Sequence, residues 1–168
     1  AILSKLSGFK EKFSIVIGGK ERQDSVYNGL QALPSQSEIV VVHDGVRPFV
    51  SPHLLLQSIQ TASEFGACVA AVPVKDTIKR VAEGRVIETV PREELWQIQT
   101  PQTFRFSILK DAHEKARKST YYSTDESSLV EWAGYPVRIV QGDYFNIKLT
   151  TMEDLLFSRM LLAEGHVK

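Results

Sequence analysis

Short, continuous apolar runs alternate along the chain with stretches in which apolar residues recur every three or four positions. The runs predict buried strands at residues 13–17, 38–43 and 67–74. The recurring stretches predict helices, one over residues 23–33 and one after Ser51-Pro52, where Ser is a favoured N-cap and Pro a favoured first helical residue. Such alternation is typical of an α/β fold, a Rossmann-like and mostly parallel sheet flanked by helices.

Residues 76–90 break this pattern. Apolar and polar residues alternate over residues 77–81 and 85–90, and Ala82-Glu83-Gly84 between them has turn chemistry. The segment therefore predicts a β-hairpin. It carries little apolar material, and an isolated hairpin is marginally stable in water. We expect it to pack on something else, such as a second subunit, with residues 75–92 forming the protruding arm.

The remaining third of the chain returns to helices and strands. Helices are predicted over residues 107–118 and 125–132, the second stopping at Gly134. Strands are predicted at residues 137–140 and 147–149. A final helix is expected to begin near Thr151, because acidic residues fill the first turn that follows.

Length and charge narrow the possible functions. One domain over residues 1–168 is the default for a chain of this size. The 20 Lys and Arg residues balance the 20 Asp and Glu residues, which argues against a general nucleic-acid or membrane-surface binder. No apolar run approaches the roughly 20 residues that span a bilayer. The single cysteine, Cys68, cannot form an internal disulfide and fits a reducing, cytoplasm-like compartment.

Four segments could carry chemistry. Asp44 and Arg47 directly follow a predicted strand, where open α/β sheets bind ligands. A Gly-rich turn, residues 18–25, precedes a helix, Lys148 lies in an apolar stretch, and Arg92 lies at the base of the hairpin. Each also has a plain structural interpretation: an ion-paired turn, a helix start or a solvated cation. Taken singly, the structural interpretation is as good for Asp44 and Arg47 and better for the others.

Two common chemistries have no support. The four histidines lack the spacing of zinc ligands, so no metal-ligating residues are predicted. There is no G-x-S-x-G motif, and Cys68 lies within an apolar run, so nucleophilic catalysis by Ser or Cys is not indicated.

Six ordered motifs, taken together, resemble one family. They are GGKERQDSVYNGL, VVVHDGVRPFV, AAVPVKDTIKRV, VPREELWQIQTPQTF, STDESSLVEWAG and GDYFNIKLTTMEDL. Their order and content resemble the 2-C-methyl-D-erythritol 4-phosphate cytidylyltransferases over residues 17–162. HDGVRPF and QTPQTF are shared with ribitol-5-phosphate cytidylyltransferases, whereas KDTIKRV and REELWQIQTPQ favour the methylerythritol enzymes.

The resemblance implies an activity and an assembly. It implies transfer of CMP from CTP to a polyol phosphate with release of pyrophosphate, in non-mevalonate isoprenoid biosynthesis. Mg²⁺ is the implied ion. The implied assembly is a homodimer joined through the hairpin arm, in a bacterial cytoplasm or plastid stroma, with neither nucleic acid nor membrane as a partner.

The resemblance also implies roles for individual residues. Catalytic positioning of the substrate phosphate falls to Arg92 and Lys148. Substrate binding falls to Asp44, Arg47, Thr77, Thr100, Thr124 and Asp125. Nucleotide binding falls to Gly19, Ser25, Asp44 and Gly45. Thr77 and Arg92 belong to the arm, so they are expected to act across the dimer.

One departure from the family lies at the start of the sequence. The family opens with a strand and a Gly-rich loop whose Arg and Lys hold the triphosphate, whereas this sequence opens with AILSKL. A chain without that loop is expected to bind triphosphate poorly and to be nearly inactive. Two alternatives therefore stay open: a cytidylyltransferase for ribitol 5-phosphate or another polyol phosphate, and a non-catalytic dimeric remnant.

Overall fold

The computed structural model describes residues 14–167, which divide after Ser37 into two compact units. The first unit contains helix α1 (Arg22–Gln31), preceded by a bend at Lys20-Glu21. A capping box between Glu21 and Asp24 begins this helix. The helix predicted over residues 23–33 is therefore confirmed with a shift of one or two residues.

The strand predicted at residues 13–17 is wrong over residues 14–17, which belong to no strand. Phe13 and the opening residues AILSKL lie outside the described residues. The described part of the first unit offers no second strand, and strand backbone groups need a neighbouring strand as partner. Ile15 and Ile17 are accordingly exposed despite their apolar side chains.

The second unit is a sheet flanked by helices, with a separate hairpin. Its elements in chain order are β1 (Ile39–Val42), α2 (Pro52–Phe65), β2 (Ala67–Pro73), β3 (Ile78–Ala82), β4 (Arg85–Val90), β5 (Trp96–Arg105), α3 (Phe106–Ser119), α4 (Glu126–Trp132), β6 (Arg138–Gln141) and α5 (Met152–Ala163). None of the helices within residues 14–167 is long and apolar enough to cross a membrane.

The four-stranded sheet has the order β1-β5-β2-β6. Strands β1, β2 and β6 run in one direction, and β5 lies between β1 and β2 antiparallel to both. The α/β prediction is confirmed, although two of the three pairings are antiparallel because of β5, a strand that the sequence pattern did not reveal. Its sequence, WQIQTPQTFR, is polar along most of its length, and a central Pro is unusual in a strand.

Continuous burial explains the apolar run of β2. All of its residues from Ala67 to Val72 are buried, as expected for a strand that is covered on both faces. On one face Leu54 and Ala62 of α2 pack with Cys68, Ala70 and Val140.

Local signals placed the helix ends correctly. The Ser51 hydroxyl accepts from Leu54 N at 3.1 Å and caps α2. Asp125 caps α4, and Gly134, with φ of 93°, follows the end of that helix. Thr151 caps α5 in a capping box with Asp154.

The strand predicted at residues 147–149 is wrong, whereas the one predicted at residues 137–140 is confirmed as β6. Residues 147–150 form a loop, and a single backbone bond from Leu149 N to Val46 O, 2.8 Å long, ties it to the loop after β1. One such bond holds the segment in place without making a ladder.

Strands β3 and β4 form the predicted hairpin and pair only with each other within the described residues. Glu83 and Gly84 both have positive φ, 49° and 75°, which a tight two-residue turn requires. Val81, Val86 and Ile87 of the hairpin are 56, 61 and 60% exposed. Apolar side chains this exposed on a two-stranded element are typical of a surface that another molecule covers.

Candidate active site

Loops that follow β1 and β6 meet at one edge of the sheet. Since β1, β2 and β6 are parallel, their carboxyl ends lie at the same edge, where open α/β sheets bind ligands. The loop after β1 carries Asp44 and Arg47, and the loop after β6 carries Asn146 and Lys148. Residues far apart in sequence are thereby brought together.

One carboxylate lies between two cations in this cluster. Asp44 Oδ2 is 3.2 Å from Lys148 Nζ and 3.5 Å from Arg47 Nε. The Lys148 side chain is 46% exposed, whereas those of Arg47 and Asp44 are 12 and 16% exposed. The Lys148 ammonium can therefore move toward an incoming anion, while Arg47 is fixed.

Arg47 is held by more than its ion pair. Its Nη1 donates to Asn146 O at 2.7 Å, and its backbone N donates to Asp44 O at 3.0 Å. Its Nε is buried and faces the Asp44 carboxylate, with Oδ2 3.5 Å away. Burial lowers the pKa of Arg47 and the nearby Asp44 carboxylate opposes this shift, but a guanidinium remains charged at neutral pH.

A bulge in β5 points the Thr100 side chain toward the loop after β1. Between the pairs Val69–Gln102 and Ala71–Ile98, β2 advances two residues and β5 advances four. Within the bulge, the Thr100 hydroxyl accepts from Asp44 N at 3.0 Å and lies 2.9 Å from His43 Nδ1. Bulges commonly re-aim side chains beside active sites.

The same bulge is clamped to the loop after β6. The Asn146 amide, which is fully buried, donates to Thr100 O at 2.8 Å and to Gln99 Oε1 at 3.3 Å. The Gln99 amide in turn donates to Asp143 O at 2.8 Å. The loop that carries Lys148 is thus fixed to β5 through buried hydrogen bonds.

A pocket of about 260 Å³ opens beside the cluster. Charged and polar side chains form one part of its lining and apolar ones the other, and they are Arg47, Gln97, Gln99, Lys148, Asp154, Val72, Ile98, Tyr144 and Ile147. Its volume suits a small phosphorylated molecule.

Thr77 and Arg92 lie at the base of the hairpin. Both are exposed, and Arg92 Nη1 donates to the backbone carbonyl of Lys75. Neither is among the described residues that line the pocket together with Arg47 and Lys148. The lining of that pocket therefore includes some, but not all, of the residues that the motifs single out.

Asp125 is engaged in capping α4. Its carboxylate accepts from Ser128 N at 2.9 Å and from Gln102 Nε2 at 2.7 Å, and the Ser127 hydroxyl donates to it as well. Burial acts to raise the pKa of Asp125, but these hydrogen bonds outweigh it and leave the pKa below its usual value. Thr124, next to it, is exposed.

Gly19 and Ser25 lie in the first unit, Gly19 before α1 and Ser25 in its first turns. The Ser25 hydroxyl accepts from Gly19 N at 3.0 Å and donates to Glu21 O at 3.2 Å. A Cβ on Gly19 would come within 2.2 Å of Asp24 Cβ, so only glycine allows this close approach. Gly45, in the second unit, is exposed and has open space around it.

Three residues of the site received no role from the sequence, namely His43, Gln99 and Asn146. His43 lacks the spacing of a metal ligand. Gln99 and Asn146 act through a bulge and a loop contact, which a pattern of apolar residues does not encode. Within residues 14–167 no three His, Cys, Asp or Glu side chains lie close enough together to hold a metal ion.

Known proteins resemble this chain closely. The family model "IspD: 2-C-methyl-D-erythritol 4-phosphate cytidylyltransferase" matches residues 2–164. The relative of that name from Halalkalibacterium halodurans is 56% identical over 150 residues, covering 89% of this chain and 65% of its own length. The relative from Geobacillus kaustophilus is 55% identical over 146 residues, covering 87% of this chain and 64% of its own length. The chain thus spans somewhat less than two thirds of these curated relatives.

Solved structures agree. The 4-diphosphocytidyl-2C-methyl-D-erythritol synthase from Anaerococcus prevotii matches with a TM-score of 0.83 and 36% identity, covering 96% of this chain and 77% of its own. The 2-C-methyl-D-erythritol 4-phosphate cytidylyltransferase from Thermus thermophilus matches with a TM-score of 0.83 and 31% identity. The match covers 96% of this chain and 88% of that one. The order of the motifs, the α/β fold and these matches agree, and the chain belongs to the 2-C-methyl-D-erythritol 4-phosphate cytidylyltransferase family.

Proposed function

We propose that the protein transfers CMP from CTP to 2-C-methyl-D-erythritol 4-phosphate and releases pyrophosphate, in non-mevalonate isoprenoid biosynthesis. The names of its relatives support this activity. The observation that carries it is the Asp44 carboxylate flanked by Arg47 and Lys148 at the edge of the sheet. Two polyanions must approach each other in this reaction, and fixed cations at the site reduce their repulsion.

The chemistry requires positioning more than covalent catalysis. An oxygen of the polyol's phosphate attacks the α-phosphorus of CTP, a P–O bond forms there, and the bond to the pyrophosphate leaving group breaks. Lys148 and Arg92 hold the attacking phosphate in line with the leaving group. Arg47, held beside them by Asp44, adds a fixed positive charge near the same phosphate.

Asp44 has two tasks in this proposal. Its carboxylate keeps Arg47 and Lys148 close together before substrate arrives. When a phosphate approaches, the exposed Lys148 ammonium turns toward it, and Asp44 accepts a hydrogen bond from a polyol or ribose hydroxyl. Gly45 follows Asp44 and lets the backbone come near the ribose.

The pocket favours a branched substrate. Val72, Ile98 and Ile147 form an apolar part of its lining beside the cations. A methyl branch on the polyol would bury apolar surface there, whereas ribitol 5-phosphate has only hydroxyl groups to offer. A methylene-sized difference in an apolar pocket changes selectivity by about 10- to 200-fold. Ribitol 5-phosphate remains the second candidate substrate.

The other residues named by the motifs complete the proposal. Gly19 and Ser25 contact the cytidine, with glycine allowing close backbone approach. Thr100, Thr124 and Asp125 border the substrate cleft. Thr77 and Arg92 act on the phosphate bound by a partner subunit, because both belong to the hairpin arm and neither lines the pocket beside Arg47 and Lys148 of its own chain.

We propose that the partner subunit is a second copy, joined through the arm at residues 75–92. The exposed Val81, Val86 and Ile87 provide apolar surface for that contact. Residues 1–168 would then all belong to one cytidylyltransferase domain. The bacterial relatives and the single cysteine favour a bacterial cytoplasm as the compartment.

Mg²⁺ fits this site only as an ion carried by the nucleotide. Mg²⁺ in such enzymes is commonly held by one or two carboxylates plus substrate phosphates. Among the described residues, Asp44 is the carboxylate that pairs with Arg47 and Lys148, and its Oδ2 already faces both cations. A Mg²⁺ on the triphosphate would supply charge neutralisation, and the residues of this chain would position the attacking phosphate.

Pyrophosphate release tests the proposal. The protein, produced as its gene encodes it, is given CTP and Mg²⁺ with either 2-C-methyl-D-erythritol 4-phosphate or ribitol 5-phosphate. We expect release with the methylerythritol ester and a lower kcat/KM with the ribitol ester. The reverse preference would establish the second candidate. Release with neither would overturn both and favour the non-catalytic dimeric remnant.

A further inference from the structure

His43 connects both ends of the loop that carries Asp44 and Arg47. This residue directly follows β1 and is partly buried. One ring nitrogen, Nε2, is 3.0 Å from the Arg47 carbonyl oxygen, and the other, Nδ1, is 2.9 Å from Thr100 Oγ1. Thr100 Oγ1 is in turn 3.0 Å from Asp44 N. A closed circuit of hydrogen bonds thus surrounds the loop.

The partners fix where the protons lie. A carbonyl oxygen only accepts, so His43 Nε2 carries a proton and donates it to Arg47 O. The backbone N–H of Asp44 only donates, so Thr100 Oγ1 accepts there. In the neutral ring, Nδ1 accepts and the Thr100 hydroxyl donates to it. Every contact in the circuit therefore has a donor and an acceptor.

We propose that His43 is a positioning residue, which acts through Thr100 on Asp44 and directly on Arg47. This inference rests on the proposed function, because it concerns the same site. The imidazole ring is rigid and makes a hydrogen bond at each nitrogen. One bond fixes the position of the Arg47 backbone, and the other fixes the Thr100 hydroxyl, which accepts from the Asp44 amide. Together they set the spacing between the Asp44 carboxylate and the Arg47 guanidinium.

A consequence concerns how Thr100 meets substrate. Its hydroxyl has one proton, which goes to His43, and two lone pairs, one of which accepts from Asp44 N. One lone pair remains. Thr100 can then accept from a polyol hydroxyl but cannot donate to a phosphate oxygen, so it recognises the alcohol part of the substrate.

Two amide substitutions test the two ring nitrogens of His43 separately. His43→Gln places an N–H near the position of Nε2 and keeps a donor for Arg47 O, while His43→Asn places an oxygen near Nδ1 and keeps an acceptor for Thr100. His43→Ala removes both. His53→Gln is the matched control, because His53 is exposed on α2 and outside the circuit.

We expect His43→Ala to lower kcat/KM by about 10- to 100-fold, mainly through kcat, because small displacements of positioned groups slow the reaction more than they weaken binding. His43→Gln and His43→Asn should each restore part of this loss. Adding Thr100→Val to His43→Ala should lower kcat little further, since both act in one circuit. His53→Gln should match the wild type.

Binding of inorganic phosphate gives a second readout that needs no catalysis. Phosphate is titrated into each variant while the Arg47 Nε–H signal is followed by NMR. We expect His43→Ala to bind inorganic phosphate several-fold more weakly than the wild type, and His53→Gln to bind it as the wild type does. If the wild type transfers no CMP but phosphate binding depends on His43, the proposed function fails and the positioning role stands. Wild-type phosphate binding and kcat per folded molecule in His43→Ala would overturn the inference.

Discussion

The sheet-edge cluster and the hairpin are both proposed to supply cations to one reaction, but they hold them differently. Arg47 and Lys148 are set by an ion pair, a backbone carbonyl and a buried amide clamp. Arg92 has a backbone carbonyl at the foot of an exposed hairpin as its hydrogen-bond partner. One region is organised within a single chain, and the other is not.

This difference indicates where each region takes its stability from. Buried hydrogen bonds fix a side chain because leaving any member unpaired is costly. An exposed hairpin has no such support, and two strands alone are marginal in water. The cluster is held by contacts within one chain, whereas in the proposed dimer a second surface would fix Arg92 in place.

Removing a cation from each region should give the largest effects. We expect Arg92→Met and Lys148→Met each to lower kcat by about 100-fold or more, since each loses a fixed charge at the reacting phosphate. Unfolding temperatures should change little, because both side chains are substantially exposed. Steady-state kinetics and thermal unfolding of the two variants provide the measurement.

Mixing these two variants would sharpen the comparison. If Arg92 acts in the partner's site, random reassociation makes half of the dimers mixed, and each mixed dimer has one intact site. About a quarter of wild-type activity should then return. Mixing each variant with itself is the control. A mixture as inactive as its components would place Arg92 in its own chain's site and remove the contrast.

A charge on the apolar face of the hairpin comes next in expected size. Val86→Asp places a carboxylate on a side chain that a dimer would cover, so we expect dissociation to monomers at micromolar concentration and a matching loss of activity. Sedimentation at several concentrations measures the assembly. A variant that stays dimeric and active would show that this face is not the interface.

Loss of a helix cap in the second unit should have a smaller effect. Asp125→Ala removes the cap of α4 and leaves the buried Gln102 amide without its partner, so we expect a loss of about 2 kcal/mol in the free energy of unfolding. Asp125→Asn should lose less, because Asn is also a good N-cap. Urea unfolding at pH 7 measures both variants.

The same carboxyl group makes stability depend on pH. Its pKa is lower in the folded state than in the unfolded chain, because hydrogen bonds outweigh the effect of burial. Its stabilisation is therefore complete above the unfolded pKa and is lost as the pH falls through the folded value. Asp125→Asn should flatten this acid-side loss, and a slope equal to that of the wild type would assign the loss to other groups.

Local patterns predicted the α/β alternation and the hairpin, because both depend on side-chain period and turn residues. The β5 strand was missed because its buried polar residues find distant partners: Gln102 bonds Asp125, and Thr103 donates to Ser58 Oγ at 2.9 Å. No local pattern encodes such pairs. The strand predicted at residues 147–149 failed for the opposite reason, since an apolar alternation there found a single backbone bond instead of a ladder.

The candidate site divides in the same way. Asp44 and Arg47 are close in sequence, so a strand followed by HDGVR was enough to pair them. The approach of Lys148 depends on the loop after β6, and that loop depends on Asn146 and the bulge at Gln99. The positions of those residues follow from register and packing, which a single sequence does not reveal.

The smallest expected effect tests whether a partner covers the ion pair of the hairpin. Arg80 Nε and Glu88 Oε1 are 2.7 Å apart and both side chains are more than half exposed. The register of the hairpin shifts between Arg80 and Val81, so side-chain alternation does not assign this pair to either face of the hairpin. Glu88→Gln should change stability by less than about 0.5 kcal/mol and leave the proposed dimer intact, as exposed ion pairs contribute little. A loss of several kcal/mol would mean that the partner buries this pair together with Val86.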